Sequence, residues 1–359
     1  MFFRLTLAVT KPVINARSGF AEYFPSIEPM NISNKFSNVY SKGIYICDSL
    51  FENFNMGSAL SIASIYRPVF LVVERTAFSY CQTGSLPGGG IYYCSYEGGL
   101  ILNKVCAFKC YSETSSGQFL YYQVSNDEPF LIEICSVSEC SPMGIPGNRH
   151  SPLYINSGNC SINNLNTSKC FVYQYSSFYM YNSKNFTISY SSFLSNYASY
   201  ARSMYLQFSA VSMMAWIRFT NIINNNSPLA NTGVVQIATG SVNISRCLFF
   251  GNQDILFYGT NCHMTVKESY IYHSGVIFNI STYTSASLIT TSTSKYTETI
   301  PVTHFSTHQC NDGFYYQNEA QFITMPPSPT ECVIETNSLI GSLSILKAFT
   351  FLAPVLLPN

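Results

Sequence analysis

An eleven-residue pattern is written nine times along this chain. Self-similarity at roughly 20 to 30 residues constrains the fold more than any other feature, because it marks a solenoid. The clearest copy is VNISRCLFFGN, with Val242, Ile244, Cys247, Phe249 and Asn252 at positions 1, 3, 6, 8 and 11. The same positions hold Phe186, Ile188, Ser191, Phe193 and Asn196 in one copy, and Ala215, Ile217, Thr220, Ile222 and Asn225 in the next. Met264, Val266, Ser269, Ile271 and Ser274 follow downstream. Upstream copies begin at Leu71, Phe130 and Cys160, with weaker ones at Ile44 and Ile101. The copy at Ile101 sets Asn103 at position 3, which is otherwise aliphatic.

Positions 1 and 3 share one side of a strand, since side chains alternate at a period of two. Positions 3, 6 and 8 do not keep one parity, so the chain must bend between positions 4 and 6. A second apolar strand follows most copies, among them GIYYCS from Gly90, FLYYQV from Phe119, PLYINS from Pro152 and SFYMYNS from Ser177. Each repeat is too short to bury itself alone, so it must stack on its neighbours, about 4.8 Å away. The expectation is an all-β parallel solenoid of about nine coils over residues 44–282. Stacking would turn Ile132, Ile162, Ile188, Ile217, Ile244 and Val266 into one aliphatic spine. Asn196, Asn225 and Asn252 would form an asparagine ladder at a corner, where Asn tolerates the left-handed conformation.

Residues 1–43 carry no clean copy and read as an N-terminal cap. Residues 283–336 begin with a Ser/Thr-rich stretch, read as either a last distorted coil or a stalk. Residues 337–359 form a hydrophobic tail; within it Ser338–Leu357 carries Lys347 as its single charge. Three readings stand for the tail: a membrane anchor, a packed C-terminal cap, or a cleaved lipid-anchor signal.

Charged residues make up only 10% of the chain, and eighteen basic residues balance eighteen acidic ones with no basic run. Electrostatic binding to nucleic acid is therefore not expected. Six N-x-S/T sequons stand at Asn31, Asn159, Asn166, Asn185, Asn243 and Asn279, as candidate glycosylation sites of a secreted or surface chain. Thirteen cysteines, an odd number, lack the paired C-x-x-C spacing of a structural zinc site. Cys106 and Cys135 fall at position 6 of consecutive copies, and Cys140 and Cys170 at position 11 with Cys81 two copies earlier. They read as small core residues, with one or two disulfides between stacked neighbours as the alternative.

These windows resemble coils of the right-handed parallel β-helix, the pectin-lyase-like superfamily. They are most similar to Cys- and Asn-rich surface β-helix proteins of parasitic protists and to polymorphic outer-membrane and adhesin β-helices. The resemblance implies a right-handed coil with N- and C-terminal caps. It also raises polysaccharide lyase and glycoside hydrolase activity, which needs paired carboxylates or a carboxylate–metal–base set on neighbouring coils. No D-x-D or D-D pair occurs, and Asp127 with Glu128 is the nearest approach. Arg149–His150 reads as a loop tip, and His263 and His273 fall at opposite ends of one window. No catalytic residue, metal site or cofactor is expected. The reading is a non-catalytic cell-surface or secreted protein for adhesion, surface coat or glycan binding, with a polysaccharide-active enzyme as the alternative.

The candidate ligand site is a stripe. If the second strands keep their aliphatics inward, Tyr92, Tyr121, Tyr154, Tyr179 and Tyr205 point outward on successive coils. Where tyrosines are adjacent, Tyr93 or Tyr122 could take the outward place instead. A tyrosine offers an apolar face to a sugar ring and a hydroxyl to its edge. The expected partners are host-cell or surface glycans and proteins, with a membrane reached through residues 338–357.

Overall fold

The computed structural model describes residues 29–31, 43–280 and 286–291, apart from 48, 56, 65–66, 126–127, 142–150, 157, 201, 228–231 and 254. Among the described residues every regular element is a strand, and every pairing between neighbouring turns is parallel. The chain is a parallel β-solenoid. The tail at 337–359 and most of 283–336 lie outside the described residues, as do Asp127, Arg149 and His150.

Each window forms one bent arm of the coil. Position 5 of every window from Leu71 onward has positive φ: Arg75 (44°), Lys104 (56°), Ile134 (51°) and Asn164 (54°) on the earlier turns. Tyr190 (50°), Phe219 (48°), Arg246 (53°) and Glu268 (49°) continue the series. The bend expected between positions 4 and 6 is this left-handed residue. It swings the chain so that positions 1, 3, 6 and 8 all reach one interior. Position 10 bends again in the same way, from Tyr80 (53°) through Ser195 (53°) to Gly251 (62°). The sequence hides most of both corners because only Gly251 and the asparagines Asn53, Asn164 and Asn224 advertise the conformation.

The corner asparagines bond one another along the expected ladder but are not themselves the left-handed residues. The residue in the left-handed conformation is the one before each of them, and Asn196, Asn225 and Asn252 are buried inside. Each Oδ1 accepts the position 11 backbone N–H of the preceding turn: Cys170 N to Asn196 at 3.0 Å, Asn196 N to Asn225 at 3.1 Å, Asn225 N to Asn252 at 2.9 Å. Each Nδ2 donates to the preceding turn's position 8 carbonyl, on Thr167 (3.1 Å), Phe193 (2.8 Å) and Ile222 (2.6 Å). On earlier turns a thiol takes that place: Cys81 Sγ donates to Phe51 O (3.3 Å) and Cys110 Sγ to Phe78 O (3.5 Å).

Register corrects one window. Leu100, not Ile101, pairs with Phe130, and Leu102 pairs with Ile132. The window therefore starts one residue earlier, at Leu100, which removes Asn103 from the core and brings Cys110 to position 11. Cys81, Cys110, Cys140 and Cys170 then form one buried column of free thiols. The same shift moves Cys106 opposite Ser136 rather than Cys135, onto the outer side of the sheet. A one-residue slip turns every side chain over, and Cys106 is the residue it matters to most.

The solenoid has about six turns rather than nine. A full turn carries the bent arm, a short strand after the position 10 corner, and the return strand. Short strands occur at Gln82–Thr83, Tyr111–Ser112, Phe171–Val172 and Tyr197–Ala198, and a bridge joins Tyr197 to Asn226. The windows at Ile44, Val242 and Met264 extend the long ladders without a short strand of their own. At the ends, Pro29–Asn31 pairs with Gly43–Tyr45, and Ala286–Thr291 pairs with Cys262–Lys267. Inside, the aliphatic spine is buried as a continuous ladder from Ile132 to Val266.

Candidate binding site

The return strands Ile91–Ser95, Leu120–Val124, Leu153–Asn156, Phe178–Ser183 and Met204–Phe208 stack in register. Their first residues, Ile91, Leu120, Leu153, Phe178 and Met204, are fully buried and hold the strands against the core. Alternation then sends the next residue out. Tyr92, Tyr121, Tyr154, Tyr179 and Tyr205 pair with one another along the axis and are partly exposed. Tyr93 and Tyr122 are inward and buried, so the alternative parity does not occur. The phenol oxygen of Tyr122 has no hydrogen-bond partner among the described residues.

The five outward rings form a continuous stack. Successive centroids lie 5.5, 4.7, 4.9 and 5.2 Å apart, with interplanar angles of 22°, 3°, 18° and 5°. This geometry changes what the stripe offers. Ring faces within the stack are occupied by neighbouring rings, so solvent meets ring edges and hydroxyls rather than apolar faces. Two residues further along each strand stand Cys94, Gln123, Asn156, Tyr181 and Gln207, also in register and partly exposed. Tyr121 Oη donates to Gln123 Oε1 at 2.6 Å, and Tyr205 Oη to Gln207 Oε1 at 2.8 Å. The result is a ribbon of phenols flanked by amides. The three amides, Gln123, Asn156 and Gln207, were legible from the same alternation, two places after Tyr121, Tyr154 and Tyr205.

Arg202 closes one end. Its guanidinium lies 5.0 Å from the centre of the Tyr205 ring and 5.6 Å from that of Tyr175. Nη1 donates to Tyr175 Oη at 3.2 Å, and Nε donates to the Gln236 side chain. Tyr175 packs at a tilt against both Tyr179 and Tyr205, at 4.6 and 5.2 Å. These two residues sit in loops and carry no repeat signal. Burial, then the neighbouring phenols, push the Tyr121 and Tyr179 hydroxyls well above their ordinary range. Burial also pushes Tyr205 up to about 12, with Arg202 opposing. All three remain hydrogen-bond donors at neutral pH.

The sequons are placed unequally. Asn159 and Asn185 are exposed, and Asn243 and Asn279 partly so. Asn166 is buried, with Nδ2 donating to Ser136 Oγ at 3.3 Å, so no glycan fits there in the folded chain. Asn31 lies in the strand paired with Gly43–Tyr45.

Carboxylates are spread along the coil and engaged locally: Glu74 with Arg75 (2.7 Å), Glu139 with Lys109 (3.5 Å), and Glu268 with Arg246 (2.8 Å). Among the described residues no three His, Cys, Asp or Glu side chains converge as metal ligands would. His263 is exposed, and His273 Nδ1 lies 3.0 Å from Asn252 O on the far side of its window. No helix among the described residues is long and apolar enough to cross a membrane. Comparison with protein-family models, curated proteins and solved structures returns no match to this chain.

Proposed function

We propose that this chain is a non-catalytic, secreted or surface-exposed β-helix whose phenol–amide ribbon binds extended polar ligands, glycan chains above all. The observation that carries the reading is the five-tyrosine stack with the amides of Gln123, Asn156 and Gln207 beside it. Ordered donors and acceptors repeating along one axis suit a polymer that repeats along its own. The ribbon is held by the strand ladder, so little conformational entropy is lost when a ligand binds. Exposed sequons at Asn159 and Asn185 support an extracellular location, and the parallel β-solenoid supports a β-helix of the kind that the repeat windows resemble. Adhesion or surface coating is the role that such a rigid, ligand-displaying rod serves.

The test separates hydroxyl from ring. Tyr121→Phe, Tyr154→Phe and Tyr179→Phe together keep the stack and remove three hydroxyls, of which that of Tyr121 donates to Gln123 and meets a ligand as an acceptor. Each lost hydrogen bond is worth about 0.5–1.5 kcal/mol, so binding on a glycan array or to host cells should fall roughly ten- to a thousandfold. The thermal melt should stay within about a degree or two of the parent, because surface changes of this kind move stability little. Undiminished binding by the triple variant would overturn the ribbon as the ligand site.

A further inference from the structure

The cation at the end of the tyrosine ribbon has no counter-charge. Arg202 precedes the return strand Met204–Phe208, and its carbonyl accepts the Ser176 N–H at 3.0 Å, which ties its loop to that of Tyr175 one turn earlier. The guanidinium lies over the rings of Tyr205 and Tyr175 at 5.0 and 5.6 Å. Gln236, which accepts its Nε–H, is 4% exposed and sits on the rung after Tyr205, so a buried amide sets the plane of the cation. Arg75, Lys109 and Arg246 each pair with a glutamate, whereas Arg202 meets no carboxylate among the described residues.

Its donors are only partly used. Nε bonds Gln236 and one hydrogen of Nη1 bonds Tyr175 Oη, which leaves Nη2 and the second Nη1 hydrogen without an acceptor among the described residues. Arg202 is partly exposed, so those hydrogens are left to solvent or to a ligand. Free guanidinium hydrogens in a fixed plane suit the oxygen pair of a carboxylate or sulfate. We infer that Arg202 takes one such anionic group, carried on the sugar that lies at the Tyr205 end of a bound glycan, and thereby fixes the register and direction of that glycan along the ribbon. This rests on the ribbon as the ligand site.

A repeat of like phenols reads no register by itself. Tyr92, Tyr121, Tyr154, Tyr179 and Tyr205 offer a repeating ligand nearly the same contacts at every rung. One cation at one end removes that degeneracy. The chain has no net charge and no basic run, so Arg202 acts on a single group rather than attracting a polyanion through a broad positive field. Two rings and a buried amide already hold the guanidinium, so less side-chain entropy is lost on binding than at a free surface arginine.

The test uses the full-length chain and three probes. These are an oligoglucuronate long enough to span the five rings, the same oligosaccharide with its carboxyls reduced to alcohols, and the reduced form bearing sulfate. At least one acidic probe should bind about ten- to a hundredfold more tightly than the reduced one, the span of one charge-assisted contact. Which acidic probe gains tells carboxylate from sulfate. The preference should shrink as salt rises. In Arg202→Gln the ratio of acidic to reduced affinity should fall to about one, and in Arg202→Lys, which keeps the charge without the fork, it should lie between. A ratio that survives in Arg202→Gln, even at lower overall affinity, would show that Arg202 only braces Tyr175 and Tyr205, and would overturn the inference while leaving the ribbon. Equal binding of all three probes by the parent would overturn it in the same way. If the triple Phe variant at Tyr121, Tyr154 and Tyr179 binds the reduced probe as tightly as the parent, or the parent binds no probe, the ribbon itself fails and the inference with it.

Discussion

Asn225 shows how much one side chain holds at a corner. It is fully buried, accepts the Asn196 N–H at 3.1 Å, and donates to Phe193 O at 2.8 Å and Asn252 Oδ1 at 3.2 Å. Leucine has nearly the same shape and none of these bonds. Asn225→Leu would orphan a buried N–H and a buried carbonyl, each worth about 1–3 kcal/mol. The expected loss is about 2–5 kcal/mol, read as a lower urea midpoint. Earlier turns supply a control, since Cys110 at the equivalent position donates its thiol to Phe78 O at 3.5 Å. Asn225→Cys should keep one donor and lose clearly less than the leucine variant. Equal losses for the two would mean that volume, not hydrogen bonding, decides this column.

At the scale of the bent arm, the strain sits at position 5. Ile134 holds φ at 51°, a conformation that a β-branched residue resists by about 1–2 kcal/mol. Its neighbour one turn on, Asn164, takes the same conformation at 54° without that penalty. Ile134 is partly exposed, so little core is lost on replacement. Ile134→Asn should stabilise the chain by about 1 kcal/mol, seen as a raised urea midpoint. A lower midpoint would show that the Ile134 side chain packs more than it strains. This element also explains what was legible in the sequence. Positions 1, 3, 6 and 8 repeat because they face the core, and so the arm, its bend and its aliphatic spine could be read directly. The corner conformation could not, because Arg75, Tyr190 and Phe219 give no local sign of it. The slip at Leu100 escaped because ILNKV and LILNK both alternate; only the misplaced Asn103 betrayed it. The tyrosine stack could be read from alternation, whereas its edge-on presentation follows from ring planes that sequence does not encode.

For the whole molecule, buried groups that must stay neutral set its pH limit. Burial pushes the Cys135 and Cys247 thiols up to about 12 and Cys262 up to about 11, with backbone hydrogen bonds opposing. An unfolded chain releases these protons near 8.5, and its tyrosines near 10. The folded pKa values are raised, so the folded state binds more protons above pH 8.5. Stability from these groups is complete below that point and is lost as pH rises through 11 to 12. Cys135 and Cys247 lie in the core at 3% and 0% exposure, so each should cost about 2–3 kcal/mol by pH 10.5. The outer tyrosines add to the same slope in the same direction, with Tyr205 titrating at about 12. Urea midpoints measured in degassed buffer should be level from pH 7 to 8.5 and fall steadily to pH 11. Cys247→Ala should flatten the fall by one thiol's share while lowering the neutral plateau slightly. A midpoint independent of pH up to 11 would show that hydroxide reaches these thiols in the folded coil, and that the solenoid interior is open to water along its length.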